Sequence, residues 1–187
     1  MRHDPAYRKI TASEFLAIDF GTDKKFELSD GIIQMMTGGS SLHAHVAGNI
    51  YSFLKGKLRS TGCVPFNSDM ALRIGETDVR YPDVAVYCGN PMDIEKAPVL
   101  AFDDPVVIIE VLSSSTSTLD QGTKLEEYCG LASVDTIVFV DPVNELTRTF
   151  QRVGPDSWRD DMFAKPHDIV LPSLKVTVPH DEIFARN

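Results

Sequence analysis

The stretch "PVVIIEVLSSSTSTLDQGTKLEEYCGLASVDTIVFVD", residues 105–141, decides the fold. It opens with an unbroken apolar run, passes through a Ser/Thr loop, carries Lys124, Leu125 and Tyr128 at helical spacing, and ends in a second apolar run at 136–141. Unbroken runs of this kind are typical of strands that are covered on both faces. Strand, helix and strand in this order form a parallel crossover unit. The sequence therefore predicts an α/β core with a mixed sheet flanked by helices.

The rest of the chain supplies further strands, helices and hairpins. A capping box at Thr11–Glu14 predicts a short helix to about residue 19, and Asp30-Gly31 predicts a tight hairpin turn. Asp120 is a candidate cap for the helix of the crossover unit. A second hairpin is expected across residues 154–156. The remaining predicted elements are a long helix from His43 to about Ser60, strands at about 63–66, 70–74 and 83–88, and a closing strand and turn at 171–184.

Length and charge limit the classes of function. With 187 residues and 43% apolar residues, the chain is expected to form one domain over residues 1–187. Acidic residues outnumber basic ones by 27 to 18, which gives a net charge of -9 and counts against a nucleic-acid substrate. A divalent metal in a carboxylate site would supply local positive charge that this count omits.

The chain lacks the signals of export and of metal-binding cysteines. No apolar stretch is long enough to cross a bilayer, and the first residues lack the apolar core of a signal peptide, so we expect a cytoplasmic protein with no membrane association. Cys63, Cys88 and Cys129 are far apart and form no CxxC pair. They are therefore predicted to be small buried side chains, with no disulfide and no zinc site.

Two acids stand beside apolar runs and need partners. Glu110 is the only charge in the run at 105–112, and Asp83 opens the run at 83–88 directly after Pro82. A single acid of this kind could simply pair with an arginine, and Arg73 and Arg80 are candidates. If the two strands are neighbours, however, both carboxylates and Lys124 converge at one end of a sheet. Such a site suits Mg²⁺, with Mn²⁺ as a substitute, because hard cations take oxygen ligands.

The motifs of this chain resemble those of a known family. "YPDVAVY", "PVVIIEVLSSSTSTLDQGTKLEEY" and "VFVDP" are similar to segments of the Uma2 (DUF820-like) family of restriction-type endonucleases, a branch of the PD-(D/E)XK nuclease superfamily. The similarity extends upstream through "FELSDGIIQMM", "HAHVAGNIYSFLKGKL" and "PFNSDMALRI", and downstream to "LPSLKVTVPHDEIF". It covers nearly the whole chain in order.

The resemblance implies a fold, an activity and a set of site residues. It implies a restriction-endonuclease-like core that hydrolyses DNA with a metal ion. Asp83 and Glu110 are implied to be the metal ligands, and Glu27 an additional acid of the same site. The superfamily pattern Glu-x-Lys would place its lysine at position 112, which is Leu112 here. The resemblance to Uma2 sequences implies that this lysine lies instead on the helix that follows the strand. Lys124 is at the matching position.

Several other residues keep two interpretations. His43 and His45 face different sides of a helix and do not form a metal pair; His43 either lines the cleft or is a cap or surface histidine. Asp69 either reaches the cleft or begins a strand. The loop at 113–116 lacks the surroundings of a nucleophile elbow. Gly38-Gly39 lacks the lysine of a phosphate loop. Lys55, Lys57 and Arg59 either touch a phosphate backbone or form a solvated helix end.

Three functions are consistent with the sequence. The first is a Mg²⁺-dependent endonuclease that hydrolyses DNA phosphodiester bonds. The second is a non-catalytic nuclease-like module that binds nucleic acid or a protein partner, which the net charge and the displaced lysine favour. The third is a hydrolase of a different phosphate ester. A homodimer is expected only on the general ground that symmetric oligomers are common.

Overall fold

The computed structural model describes residues 8–89, 99–113 and 118–186 of the chain. The described residues form thirteen strands and four α-helices. In chain order they are α1 (Ala12–Leu16), β1 (Phe26–Ser29), β2 (Ile32–Met35), α2 (Ser41–Lys57), β3 (Cys63–Asn67), β4 (Ala71–Ile74), β5 (Asp78–Arg80), β6 (Val84–Cys88), β7 (Ala101–Phe102), β8 (Val107–Val111), α3 (Thr118–Cys129), β9 (Thr136–Asp141), β10 (Leu146–Gly154), β11 (Ser157–Met162), β12 (Ile169–Leu171), β13 (Val176–Val178) and α4 (His180–Ile183).

Two mixed sheets form most of the structure. The larger has the order β11-β10-β9-β8-β6-β3, the smaller has the order β2-β1-β5-β4-β7, and β12 pairs with β13 separately. β8 and β9 run parallel and are joined through α3, which confirms the predicted crossover unit. β6 pairs antiparallel with β8, with Val84 opposite Ile109. This pairing makes the two acid-bearing strands neighbours.

The larger sheet is covered on both faces, as its unbroken apolar strands predict. Val107, Ile109 and Val111 pack in one apolar cluster with side chains of α2. Ile108 points to the opposite cluster, which includes Tyr128 of α3. Burying a Val or Ile side chain stabilises a fold by about 1.5–3 kcal/mol. The buried strands β6 and β8 are therefore firmly held, and they determine where Asp83 and Glu110 lie. Glu110 lies on the α3 face, one strand period from Ile108.

The amino-terminal elements match their local signals. Thr11 and Glu14 form the predicted capping box at α1, with Thr11 N–H donating to Glu14 and Glu14 N–H donating to the Thr11 hydroxyl. Asp30 and Gly31 both have positive φ, +48° and +74°, in the turn between β1 and β2. Positive φ at both central residues is the geometry of a type I′ hairpin turn, which favours glycine. The predicted hairpin is confirmed.

Several boundaries differ from the prediction. α1 ends at Leu16, α2 runs from Ser41 to Lys57, and α3 begins at Thr118, so Asp120 is the third residue of the helix and does not occupy its N-cap position. β5 and β7 were not predicted. They have three and two residues, too few to show an apolar period. β5 pairs with β4, which precedes it in the chain, and with the more distant β1, whereas β7 pairs with β4.

The prediction that no cysteines pair is wrong. Cys63 and Cys88 form a disulfide, because the register of β3 with β6 sets them directly opposite each other. They are 25 residues apart in sequence. Their spacing does not reveal the strand register that sets them opposite each other, so the disulfide could not be predicted from the sequence. Cys129 is free. Among the described residues, no helix is both long enough and apolar enough to span a membrane.

Candidate functional site

The acids predicted from the sequence lie close together at one end of the strands β6 and β8 of the larger sheet. Asp83 lies immediately before β6, Glu110 lies near the end of β8, and Glu27 reaches in from β1 of the smaller sheet. Lys124 lies on α3, which packs over the β8 face that carries Glu110. All four line one cleft of about 950 Å³. The structure therefore brings together every residue that was predicted for the site.

Glu110 is held from the helix above it. Its side chain is about 10% exposed, and its Oε1 accepts a hydrogen bond from the Tyr128 hydroxyl at 2.6 Å. Lys124 Nζ lies 3.4 Å from the same oxygen. Lys124 and Tyr128 are four residues apart and thus on one face of α3, as their spacing predicts. One carboxylate oxygen of Glu110 is fixed by two donors.

Glu27 joins the lysine to a buried arginine. Glu27 Oε1 lies 3.6 Å from Lys124 Nζ, and Glu27 Oε2 accepts from Arg80 Nη1 at 3.3 Å. Arg80 is 2% exposed and also donates two hydrogen bonds to Glu127 of α3, at 2.8 and 2.6 Å. Arg80 and Arg73 had been candidate partners of Glu110. Arg80 instead pairs with Glu27 and Glu127, and Arg73 pairs with Asp103.

Asp83 is held by two groups at a single oxygen. The backbone N–H of Val111 donates to its Oδ2 at 2.8 Å, and His43 Nε2 lies 3.1 Å from the same Oδ2. His43 therefore lies in the cleft, as one of the two interpretations of the sequence held. His45 points away and contacts the backbone oxygen of Ala185, which confirms that the two histidines do not form a pair.

Burial and neighbouring charges shift the proton affinities of two residues in the cleft. Burial raises the pKa of Glu110 to about 7, and nearby Asp83 and Glu27 act in the same direction, while Lys124 and Tyr128 oppose them. The hydrogen bond to Asp83 raises the pKa of His43, against the effect of partial burial. Perturbed groups in a cleft are a common mark of a functional site.

Several weaker candidates from the sequence lie at the edge of the cleft or away from it. Asp69 is in the turn before β4, where it is exposed and pairs with Lys25 at 2.6 Å. Lys55 and Lys57 lie over the rings of Tyr51 and Phe53 on α2. Ser113 lines the cleft, whereas residues 114–117 of the Ser/Thr loop fall outside the described residues.

The donor set fits a hard divalent cation. Four carboxylates, of Glu27, Asp83, Glu110 and Glu127, interact with Arg80, with Lys124 or with one another among the described residues. The pairing of Val84 with Ile109 sets Asp83 and Glu110 side by side, so two of these carboxylates can share one cation. Within the described ranges, no three His, Cys, Asp or Glu side chains form a ready-made metal cluster. Mg²⁺ commonly takes only one or two carboxylates and completes its shell with waters and substrate phosphates, so two acids suffice.

Comparison with known families identifies the group of proteins to which the chain is related. A family model, Uma2, described as "Putative restriction endonuclease", matches residues 12–178. The chain belongs to the Uma2 family. The match includes Glu27, Asp83, Glu110 and Lys124, so every proposed site residue falls inside the region that defines membership.

Relatives from Synechocystis cover most of the same length. The uncharacterized protein slr1290 is 31% identical over 185 residues, which are 97% of this chain and 96% of that protein. The uncharacterized protein sll1609 is 28% identical over 150 residues, 80% of this chain and 84% of that protein. Both proteins are therefore similar to this chain over most of its length.

A solved structure shares the fold. The crystal structure of a "putative nuclease belonging to DUF820" from Anabaena variabilis superimposes with a TM-score of 0.77 at 18% identity, covering 94% of this chain and 98% of that one. The chain therefore has the mixed α/β, restriction-endonuclease-like fold that the resemblance implied. At this identity the likeness concerns the fold.

The sequence did not indicate all the residues that shape the site. Tyr128 could be found, because it follows Lys124 by one helical turn. Arg80 was noted only as a partner for Glu110, and Glu127 was not noted, because their pairing depends on how α3 docks over the smaller sheet. The position of Gly39 against the His43 ring has no signal in the sequence pattern.

Proposed function

We propose that this Uma2 protein is a Mg²⁺-dependent endonuclease that hydrolyses phosphodiester bonds of DNA. Asp83 and Glu110 would hold the metal, with Mn²⁺ able to replace Mg²⁺. Lys124 would position the attacking water and offset charge on the reacting phosphate, and Glu27 would support the site beside Lys124. In the reaction a water oxygen bonds to phosphorus, one ester P–O bond breaks, and the leaving oxygen takes a proton.

The observation that carries the proposal is the position of Lys124. Its ammonium lies 3.4 Å from Glu110 Oε1, although it comes 14 residues later in the chain. Position 112, where Glu-x-Lys would place a lysine, holds Leu112, which packs in the apolar cluster under α3. An ammonium beside the proposed metal ligand is thus supplied from a helix instead of from the strand. This arrangement supports a catalytic over a purely binding role.

The residues of the cleft have distinct tasks in this proposal. A bound Mg²⁺ supplies Lewis-acid polarisation of a phosphoryl oxygen and lowers the pKa of a bound water. Tyr128 and the Val111 N–H each hold one carboxylate oxygen, which leaves Glu110 Oε2 and Asp83 Oδ1 for the cation. Lys124 stabilises negative charge that develops on the phosphate, since its ammonium is placed before the reaction begins.

The test is nicking of supercoiled plasmid by purified protein. We expect open-circular product with Mg²⁺ or Mn²⁺ and none with EDTA. Asp83→Asn removes one charged ligand with little change of shape, and should reduce the rate by at least about 100-fold because the metal is no longer held. Glu126→Gln removes the same charge from an exposed site on α3 and should nick at the wild-type rate.

The outcomes separate the three candidate functions. Nicking by Asp83→Asn at the wild-type rate in a folded protein contradicts the proposed site. Plasmid binding without metal-dependent nicking by any form of the protein favours a non-catalytic module. Hydrolysis of nucleotides or small phosphoesters, with intact plasmid, favours a different phosphate ester as substrate.

A further inference from the structure

We infer that His43 is a positioning residue for Asp83, and that Gly39 lacks a side chain so that the His43 ring can take this position. The inference rests on the proposed function, because it concerns the carboxylate that would hold the metal. It assigns a role to two residues, a histidine and a glycine, that the proposed chemistry does not itself use.

The contact between His43 and Asp83 is close and shielded. His43 Nε2 lies 3.1 Å from Asp83 Oδ2, and the two side chains are only 17% and 14% exposed. Because a carboxylate oxygen accepts and cannot donate, Nε2 must carry the proton of this contact. A hydrogen bond to a charged acceptor is stronger than one between neutral groups, and partial burial strengthens it further.

His43 and the β8 backbone act together on one oxygen. Oδ2 of Asp83 receives both the Val111 N–H and the His43 ring, which fixes the rotation of the carboxylate about its own axis. Oδ1 is then the oxygen of Asp83 that is left for a cation in the cleft, which Asp83, Glu110 and Lys124 all line. A carboxylate that is already oriented loses less conformational freedom when it binds a cation.

Gly39 makes room for the ring. A Cβ atom at position 39 would lie 2.6 Å from Nδ1 and 2.8 Å from Cγ of His43, distances that force the ring to move. A Cβ atom at neighbouring Gly38 would have no atom within 4 Å. Neither glycine has a positive φ, so alanine is conformationally acceptable at both positions. The need for glycine at 39 is therefore steric and local to the histidine.

The start of α2 fixes the backbone of His43. The Ser40 side chain caps the helix by accepting the His43 backbone N–H at 3.2 Å. His43 is thereby the third residue of α2, with its ring packed between the Gly39 backbone and Asp83. Gly39, Ser40 and His43 form a short unit in which the backbone and the ring are both constrained.

The test measures Mn²⁺ affinity by isothermal titration calorimetry, beside plasmid nicking and the midpoint of thermal unfolding. The variants are His43→Leu, His43→Gln, Gly39→Ala and the matched control Gly38→Ala. We expect His43→Leu and Gly39→Ala to bind Mn²⁺ about 10-fold more weakly or worse, the loss typical of removing a group that orients a metal ligand. Gly38→Ala should match wild type. His43→Gln should keep most of the affinity, because its amide nitrogen can replace Nε2 as the donor.

Each alternative result contradicts the inference in a recognisable way. Wild-type affinity in a folded His43→Leu protein shows that Asp83 needs no help from the ring. Equal loss in His43→Gln and His43→Leu shows that the ring binds the metal directly. Equal effects of Gly38→Ala and Gly39→Ala remove the steric role of Gly39. If wild type itself binds no Mn²⁺, the metal site of the proposed function fails and the inference fails with it, whereas the earlier results leave that function standing.

Discussion

At the scale of single residues, Glu110 is the most constrained group of the site. It is buried at the end of a central strand, and only one of its oxygens is occupied by Tyr128 and Lys124. An ionised carboxylate in such a place is expensive unless a cation accompanies it. Without metal, the group responds by taking up a proton near neutral pH, since its pKa is raised to about 7.

This raised pKa predicts how the stability of the metal-free protein varies with pH. The folded state holds the Glu110 proton more tightly than the unfolded state, whose carboxyl has the ordinary pKa of about 4.3. The resulting stabilisation is fully present below about pH 4.3 and is lost as pH rises to about 7. In urea unfolding with EDTA, we expect wild type to lose on the order of 2 kcal/mol relative to Glu110→Gln between pH 5 and pH 7.5. Parallel curves for the two proteins would show that Glu110 is ionised throughout.

The site could be predicted from the sequence only where a residue's place follows from the local sequence pattern. Contacts between segments that are far apart in the chain could not be predicted. Asp83, Glu110 and Lys124 could be predicted because each has a fixed place relative to an apolar run or a helical repeat. The position of the His43 ring could not, since it depends on a contact with Gly39 and on the docking of α2 against the sheet. The Cys63–Cys88 pair likewise depends on strand register, which spacing does not encode.

At the scale of elements, α3 connects the two sheets through charges. Arg80, at the end of β5 in the smaller sheet, donates two hydrogen bonds to Glu127 of α3 and one to Glu27 of β1. β5 has three residues and was not predicted, but it carries Arg80, which reaches both acids. The buried side chain of Arg80 thus links β1, which carries Glu27, to α3, which carries Glu127 and Lys124.

Removing this connection should destabilise the protein strongly. Arg80→Met leaves two acids buried without their partner, and breaking a buried ion pair in this way typically costs about 3–5 kcal/mol in the free energy of unfolding. Arg73→Met is the matched control, because Arg73 is 40% exposed and pairs with the exposed Asp103. Loss of such an exposed pair changes stability by about 1 kcal/mol or less. Chemical denaturation curves measure both, and equal effects of the two substitutions would contradict the role assigned to Arg80.

At the scale of the whole molecule, the negative charge must be reconciled with the proposed DNA substrate. The net charge is -9, and the cleft is lined by four acids and three lysines. A polyanion is repelled by such a surface unless a bound cation changes the local field. Asp83 and Glu110 lie at the same end of the neighbouring strands β6 and β8. A cation bound there would make the electrostatic potential more positive at the place where the phosphate would lie.

A cation bound at Glu110 should reverse the order of DNA affinity between wild type and a Glu110 variant. In EDTA at about pH 8.5, above the Glu110 pKa of about 7, Glu110→Gln should bind a labelled DNA oligonucleotide more tightly than wild type, because the variant lacks one repelling charge. With Ca²⁺, which takes the same oxygen ligands as Mg²⁺, wild type should bind more tightly than the variant. Fluorescence anisotropy at fixed ionic strength measures both conditions. An order that is the same with and without Ca²⁺ would contradict a cation bound at Glu110.

The central claim is that Asp83 and Glu110 together hold a metal ion, and the most direct measurement is anomalous diffraction from crystals of the protein soaked with Mn²⁺. We predict an anomalous peak within coordination distance of the Asp83 and Glu110 carboxylates, on the side of the cleft that Lys124 faces. The same soak of Asp83→Asn crystals should show the peak weakened or lost. A cleft without an anomalous peak in well-ordered wild-type crystals, or a peak at other side chains, would contradict the account.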